Sequence, residues 1–415
     1  MRLSRRGLIR GAGVSAVLAA APRILQGAER DGSSGAVRLP ATGQFAVRNH
    51  EVCLNNARWH PMSDGAMKAV QEHLAYKSRG IWTPPDAASE QQRLVKESFA
   101  RLIHATPEEV AYVNSTTAGE NLIVAGLGLE RSRGNIVTDA LHFEGSLYLY
   151  SELRKKGVEV RVVKPRNWRI ELSDLERAID KKTLLVALSQ VSYINGFAQD
   201  INAVCELAHG HGAYVYADIV QAAGCVPVDV HASNVDFCAS ASYKWLMGDF
   251  GLGFLYIRKD LIERFPRTQW SFRQVSDFAY HAFPWDSPGQ FPVSYVQRKD
   301  AAGLFETGTY ANGVIAALSY SLPWIEAVGV GAIQAHAQTM TSRLQQELPR
   351  LGYPSITPVG SKSSIVAFRV NDTAALSSKL KRRRVDVSVS PGRMRISPSV
   401  YNTQGDVDVL LEALS

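Results

Sequence analysis

Ser240-Ala241-Ser242-Tyr243-Lys244-Trp245 closes an apolar run and leads into a turn marked by Gly248, Gly251 and Gly253. A lysine at a strand end, enclosed by apolar and glycine-lined surroundings, is deprived of water. Desolvation lowers an ammonium pKa toward the neutral, nucleophilic amine that carbonyl chemistry needs. On an open surface the same residue is only a solvated cation, so the reading depends on what stands around it. The glycines neither follow the first strand nor open a helix with GxGxxG spacing, which argues against a dinucleotide loop.

Upstream, Tyr216-Ala217-Asp218-Ile219-Val220-Gln221 ends another apolar run with a carboxylate. An acid at the carboxyl end of a strand faces the crevice where α/β sheets bind ligands, and beside a pyridine nitrogen its charge favours the protonated ring. Its plain alternative is an N-cap for the following helix. Further upstream, Asn114-Ser115-Thr116-Thr117-Ala118-Gly119-Glu120-Asn121 passes from strand to helix through hydroxyl residues. Hydroxyls and free N–H groups at a helix N-terminus suit a phosphate, although the same residues cap helices without any ligand.

Apolar, β-branched runs at 110–113, 134–138, 159–163, 183–189, 213–217, 237–241 and 253–257 alternate with amphipathic stretches at 118–127, 146–156, 173–180 and 201–211. That alternation predicts an α/β fold with a mainly parallel, doubly wound sheet of seven strands. The Phe, Trp and Pro-rich tract 265–295 interrupts the pattern and reads as long loops, in which Trp270, Arg273, Tyr280 and Trp285 either shape specificity or pack. One long helical stretch, 313–351, then leads to a strand at 365–370, a helix at 373–381, two short strands and a last helix from Gln404. The expected division is a leader at 1–28, an N-terminal arm at 29–60, a large domain at 61–312 and a smaller α+β domain at 313–415.

The chain has 415 residues, 46 % hydrophobic and 20 % charged, enough for a large core and too apolar for disorder. Its formal charge is +7, but residues 1–28 hold five arginines and no acid, leaving +2 for the remainder. So small an excess predicts no nucleic-acid partner. The arginines introduce an address: Arg5-Arg6 precede a short apolar run, 14–21, and small residues before a cleavage point near Ala28, in the order of a twin-arginine export signal. Export to the periplasm, with no stable membrane anchor after cleavage, is the expectation. Cys53, Cys205, Cys225 and Cys238 lack CxxC spacing and read as small buried residues, and the His209/His211 pair lacks a third ligand, so no metal is expected. The run Lys381-Arg382-Arg383-Arg384 reads as a solvated helix end.

Taken in order, the phosphate loop, the strand-end acid and the strand-end lysine resemble the class V aminotransferases, which are fold-type I enzymes using pyridoxal 5′-phosphate. The likeness spans nearly all of the chain after the leader. It extends to Leu188-Ser189-Gln190-Val191-Ser192-Tyr193-Ile194-Asn195-Gly196, Phe305-Glu306-Thr307-Gly308-Thr309 and Arg395-Ile396-Ser397-Pro398-Ser399-Val400-Tyr401-Asn402. The resemblance implies that Lys244 carries the cofactor and Asp218 pairs with its ring nitrogen. Gln221 would lie near the ring hydroxyl, Thr116, Thr117 and Tyr243 would hold the phosphate, and Thr309 would reach the phosphate of a partner subunit in a homodimer with shared sites. In Leu141-His142-Phe143-Glu144 the stacking aromatic aligns with Phe143, and a one-residue shift would choose His142. Arg395 is the candidate anchor for a substrate carboxylate, because a guanidinium forks two donors onto it.

Within such a family the shared core serves transamination, racemisation or epimerisation, and elimination alike. Related cysteine desulfurases use a loop cysteine shortly before the substrate arginine. Residues 385–394 contain none, and Tyr193 stands where many of those relatives have asparagine. An exported member resembles the periplasmic enzymes of pyoverdine siderophore maturation, which implies transamination or related chemistry on a glutamate-like, small-molecule or peptide-borne amine. Isopenicillin-N-epimerase-like and kynureninase-like enzymes are alternatives, the latter through the local Ser-Tyr-Lys sequence. A non-catalytic binder that kept the pocket is the alternative from another class.

Overall fold

A computed structural model describes residues 38–80 and 87–415. The leader 1–28 and the start of the arm lie outside the described residues. In chain order the elements before the central sheet are strand β1 (Val52–Cys53) and helices α1 (Asp64–Arg79) and α2 (Ala87–Leu102). The alternating segment follows: β2 (Val110–Val113), α3 (Thr116–Gly126), β3 (Asn135–Asp139), α4 (Glu144–Lys155), β4 (Glu159–Val163), α5 (Leu172–Ala178), β5 (Thr183–Ser189), α6 (Ile201–Gly210) and β6 (Tyr214–Asp218). A short helix α7 (Val230–Ser233), then β7 (Phe237–Ala241) and β8 (Gly253–Ile257), complete a seven-stranded sheet in the order β2-β8-β7-β6-β5-β3-β4. Only β8 runs against its neighbours in that sheet.

All of the strands of this sheet but the edge strand β4 are almost wholly buried because both faces are covered, whereas β4 exposes Glu159 and Val162. Val110 and Tyr112 pack into one buried cluster, with Val186, Val215 and Phe254, while Ala111 and Val113 pack into another, with Ile136, Leu185 and Leu255. Parallel strands end at one edge, so the segments after β2, β3, β5, β6 and β7 all open on the same crevice. Ser115 caps α3 by accepting from Ala118 N–H at 3.1 Å, and Asp200 caps α6 through Ala203 N–H at 3.1 Å.

The tract expected as loops folds differently. Val275–Tyr280 (β9) and Val293–Gln297 (β10) pair as an antiparallel hairpin that stands away from the core, with Trp270 and Trp285 about four-fifths exposed. Nearly every residue in both strands faces solvent, so there is no inward and outward alternation in the sequence to reveal them. The long helix also divides. After the short helix α8 (Ala301–Phe305), α9 (Asn312–Val328) and α10 (Val330–Glu347) meet at a 78° bend, where Gly329 adopts φ +84°. Among the described residues no single helix is long and apolar enough to cross a membrane.

The chain ends in a smaller α+β layer: β11 (Val366–Arg369), α11 (Thr373–Arg382), β12 (Val385–Asp386), β13 (Ser388–Ser390), β14 (Arg393–Ile396) and α12 (Gln404–Leu414). The order β11-β14-β13 is antiparallel, and β12 pairs in parallel with β1 from the N-terminal arm. Leu54 consequently sits in the same buried cluster as Phe368, Met394 and Leu410.

Candidate active site

The residues after β7 are held before Lys244 is reached. Ala241 N–H donates to Thr116 Oγ1 at 3.0 Å, Ser242 Oγ donates to Leu252 O at 2.8 Å, and Gly248 N–H returns to Ser242 O at 2.9 Å. His60 N–H donates to Tyr243 O at 3.0 Å, bringing the arm against the same turn. Lys244 is buried, and among the described residues its Nζ forms no hydrogen bond; the Tyr243 ring centroid lies 5.6 Å away. Burial lowers its pKa to about 8, with Asp218 and Glu144 opposing that shift and Arg395 adding to it.

Asp218, at the end of β6, is 2 % exposed, and its Oδ1 accepts Val220 N–H at 2.9 Å. It does not cap a helix through its side chain beyond that turn. Burial pushes its pKa upward, with His142, the Val220 N–H and Lys244 pulling the other way. Gln221 is committed at both ends of its amide: Nε2 donates to Ala57 O at 3.0 Å and Oε1 accepts Trp245 Nε1–H at 2.8 Å. It therefore braces the arm, the β6 turn and the lysine turn together, keeping one amide N–H for anything else.

At the N-terminus of α3, Ser115 acts as the cap, so the N–H groups of Thr116 and Thr117 in the first turn have no intrahelical acceptor. Thr116 Oγ1 accepts from the lysine turn and keeps its own proton to donate, and Thr117 is exposed. Tyr243 stacks on Phe250 at 4.4 Å, and Phe250 meets the exposed Trp59 edge-on at 6.3 Å. Thr309 lies in the exposed turn after Gly308 and touches none of these groups within the described hydrogen bonds.

The structure separates the two aromatic candidates. A ring available for stacking must present a face to the pocket; His142 is 0 % exposed and has both nitrogens engaged, by Ser189 Oγ at 2.8 Å and Glu120 Oε1 at 3.3 Å. Phe143 is half-buried and meets Tyr193 edge-on at 5.7 Å.

Arg395, on β14, is 5 % exposed; its Nη1 donates to Tyr193 O at 3.0 Å and its buried Nε has no partner. Neighbouring Arg393 donates to Ile194 O at 3.2 Å and lies over the Tyr193 ring at 5.6 Å. Burial and the nearby charges of Arg393 and Arg58 lower the Arg395 pKa to about 10. Among the described residues neither Arg58, Arg393 nor Arg395 forms an ion pair with a carboxylate, an arrangement that favours an anionic guest. The loop presenting the carbonyls is fixed to the smaller layer by Asn195, whose Nδ2 donates to Ile356 O at 3.1 Å, and by Thr357 Oγ1 donating to Asn195 O at 2.7 Å. Gly196, at φ +73°, allows this approach: a Cβ there would lie 2.0 Å from Ile365 O.

The histidine pair takes separate tasks, His209 binding Asp236 Oδ2 at 2.8 Å and His211 the Leu207 carbonyl at 3.0 Å. Sequence reading did not single out Glu120, Glu144 or Arg58, which long-range folding brings to the pocket or its wall. Only Glu120 carried a local hint, as an acid on the otherwise apolar face of α3.

A family model described as Aminotransferase class-V matches residues 60–410. The chain belongs to the class V aminotransferase family. Over 360 residues, 86 % of this chain and 90 % of the relative, it is 27 % identical to an uncharacterised aminotransferase, YcbU, of Bacillus subtilis. Over 380 residues, 85 % and 88 %, it is 28 % identical to a cysteine desulfurase of Escherichia coli. Among solved structures it resembles the apo cysteine desulfurase of Thermococcus onnurineus, with a TM-score of 0.80 at 23 % identity over 91 % of this chain and 97 % of that one. The fold is therefore the fold-type I α/β architecture.

The cofactor of class V aminotransferases is pyridoxal 5′-phosphate, and the pocket fits it. The unpartnered buried amine of Lys244 matches its aldehyde carbon. The Asp218 oxygen that does not accept Val220 N–H matches a ring nitrogen, and the open first turn of α3 matches a phosphate.

Proposed function

We propose that this protein is an exported, homodimeric pyridoxal-phosphate enzyme that acts on the α-amino group of an anionic amino acid or peptide-borne glutamate-like group, and that its reaction is transamination. The observation that carries the reading is the depressed, buried Lys244 amine coupled to the buried Asp218 carboxylate and to Arg395, whose buried Nε has no partner. When bound, the cofactor supplies an electron sink for the substrate α-carbon. Lys244 Nζ would hold it covalently and, displaced by the substrate amine, would remove the proton from the substrate Cα; delivering that proton to the cofactor carbon, and not back to Cα, is what would make the outcome transamination. Asp218 holds the proton on the ring nitrogen. Thr116, Thr117 and Tyr243 hold the phosphate, Gln221 stands by the ring hydroxyl, Phe143 covers a ring face, and Thr309 reaches the phosphate held by a partner subunit. Arg395 would bind and orient the substrate α-carboxylate through its free donors, a positioning contribution. Arg393 and Arg58 add a second positive locus, which suits a second acidic group on the substrate.

Desulfuration by a loop cysteine does not suit this chain. Ser388 and Ser390 occupy the strand before Arg395, and all four cysteines are buried with thiol pKa values pushed up, that of Cys205 to about 12. A reactive thiol needs the opposite shift.

The test is to load wild-type and Lys244→Ala protein with pyridoxal phosphate, reduce with borohydride and map the adduct by mass spectrometry, then to assay glutamate, other amino acids and siderophore-precursor peptides. A pyridoxyl group on Lys244 in the wild type alone, with keto acid released, supports the reading. Solvent deuterium at the α-carbon without keto acid would replace transamination by epimerisation. Absence of any adduct would move the non-catalytic binder to the front.

A further inference from the structure

Behind Asp218 lies a charge cluster that the chemistry above does not use. Glu120, one turn beyond Thr116 on α3, is 1 % exposed and accepts hydrogen bonds from Tyr150 OH at 2.6 Å, from Ser146 Oγ and from His142 Nε2. Neutral hydroxyls can turn either way. The carboxyl and the imidazole therefore form a buried pair, Glu120 Oε1 lying 3.3 Å from His142 Nε2 with two hydroxyls closing around it. The other His142 nitrogen meets Ser189, which stands directly beside Asp218 in the β5–β6 register. Asp139, at the end of β3, also acts on His142, and its Oδ1 is tied to Leu141 N–H at 2.7 Å. Tyr216, on β6, adds a buried hydroxyl with no partner beside Glu120 and Asp218. One imidazole therefore stands among the carboxyls of α3, β3 and β6, with the Lys244 amine beyond Asp218 as the other basic group coupled to that carboxylate.

We infer that His142 and Glu120 are positioning residues: Glu120 keeps His142 doubly protonated, and the buried imidazolium keeps Asp218 ionised for the cofactor ring nitrogen. The inference rests on the reading that Asp218 pairs with that nitrogen. An isolated carboxylate at 2 % exposure is pushed toward its neutral form, and one backbone donor does not offset so complete a desolvation. Lys244 helps only while it is charged, and it sits near its own titration point at neutral pH. Burial alone drives an imidazole toward neutrality, yet His142 shifts upward because Glu120, Asp218 and Asp139 outweigh it. The result is an alternating line, Glu120 negative, His142 positive, Asp218 negative, ending at the ring N–H.

The experiment uses the full-length mature protein, labelled with ¹⁵N-histidine, as wild type, Glu120→Gln and His142→Gln. In the wild type without cofactor, His142 is expected to show both ring nitrogens protonated at pH 7, and in Glu120→Gln only one. After loading with pyridoxal phosphate, the pH titration of the visible band should move by about one unit or more in Glu120→Gln. kcat should fall roughly ten-fold or more while KM stays within about two-fold, because the change reaches the ring nitrogen and not the substrate contacts. A neutral His142 in the wild type at pH 7 overturns the inference, and that measurement stands whether or not a variant folds. Folded Glu120→Gln whose visible titration and kcat coincide with wild type also overturns it. Borohydride trapping at Lys244 separates the failures: trapping intact without a spectral shift removes the relay alone, whereas no trapping in the wild type removes the cofactor reading itself.

Discussion

Arg395 enters the pocket with one arm already spent on the Tyr193 carbonyl and its buried Nε unspent. Under the proposed function a substrate carboxylate would complete it. Arg395→Lys keeps a charge but loses the planar fork, so kcat/KM should fall by about 10- to 100-fold. Arg395→Ala should cost roughly 1,000-fold, mostly through KM, as steady-state kinetics on the preferred amine would read. Lys244 gives a residue-scale test that needs no substrate. Its native pKa of about 8 lies below the ordinary lysine value of 10.5, so at neutral pH the unfolded chain binds that proton more readily than the folded one. The protonated amine therefore opposes folding fully below pH 8, and the penalty fades as pH rises from 8 to 10.5. In the cofactor-free protein, Lys244→Met should raise stability by about 1–3 kcal/mol at pH 7, and urea melts should show that gain shrinking toward pH 10. A constant gain across that range would mean that the amine is already solvated.

At the scale of elements, the central strands were legible because all but the edge strand β4 are buried on both faces and so appear as apolar runs between amphipathic helices, while β4 still shows its three valines. β3 and β6 begin and end one residue later than the hydrophobic runs 134–138 and 213–217 imply, since their last residues, Asp139 and Asp218, are polar groups at the sheet edge. The β9–β10 hairpin was not legible: exposure on both sides removes the alternation from which a strand is recognised. The split between α9 and α10 was hidden for another reason. Apolar spacing continues through the break, and only the backbone conformation of Gly329 turns the chain. Gly196 carries the corresponding element-scale prediction. Gly196→Ala forces a left-handed alanine against the Ile365 carbonyl, and should destabilise the fold by at least ~2 kcal/mol in chemical denaturation. Because the same loop presents the carbonyls that aim Arg393 and Arg395, KM should rise as well. An unchanged midpoint would show that this loop and the smaller layer are free to separate.

Across the whole molecule, the N-terminal arm and the smaller C-terminal layer meet beside the lysine turn. β1 pairs with β12, Asn56 Nδ2 donates to Ser397 O at 2.8 Å, and Tyr401 OH donates to Asn56 Oδ1 at 2.6 Å, so the arm ties the smaller layer to the lysine turn. A protein assembled this way holds its pocket only when folded, which is consistent with the proposed export of a finished, cofactor-bearing chain. Replacing Arg5 and Arg6 together by lysine should leave the protein in the cytoplasm with its leader uncut, as fractionation and intact-mass measurement would read. Periplasmic, processed protein from that variant would remove the twin-arginine reading. By itself the sequence determined the α/β class, the seven-strand order of apolar runs and the chemistry-bearing residues at strand ends, because burial on both faces and special residues at strand termini leave local signatures. Only the tertiary structure decided that His142 is fully buried with both ring nitrogens engaged while Phe143 is half-buried against Tyr193, and that Gln221 is a brace. It also decided that His142 stands between Glu120 and Asp218. Those facts depend on which surfaces meet across hundreds of residues, and no local pattern of residues encodes a meeting.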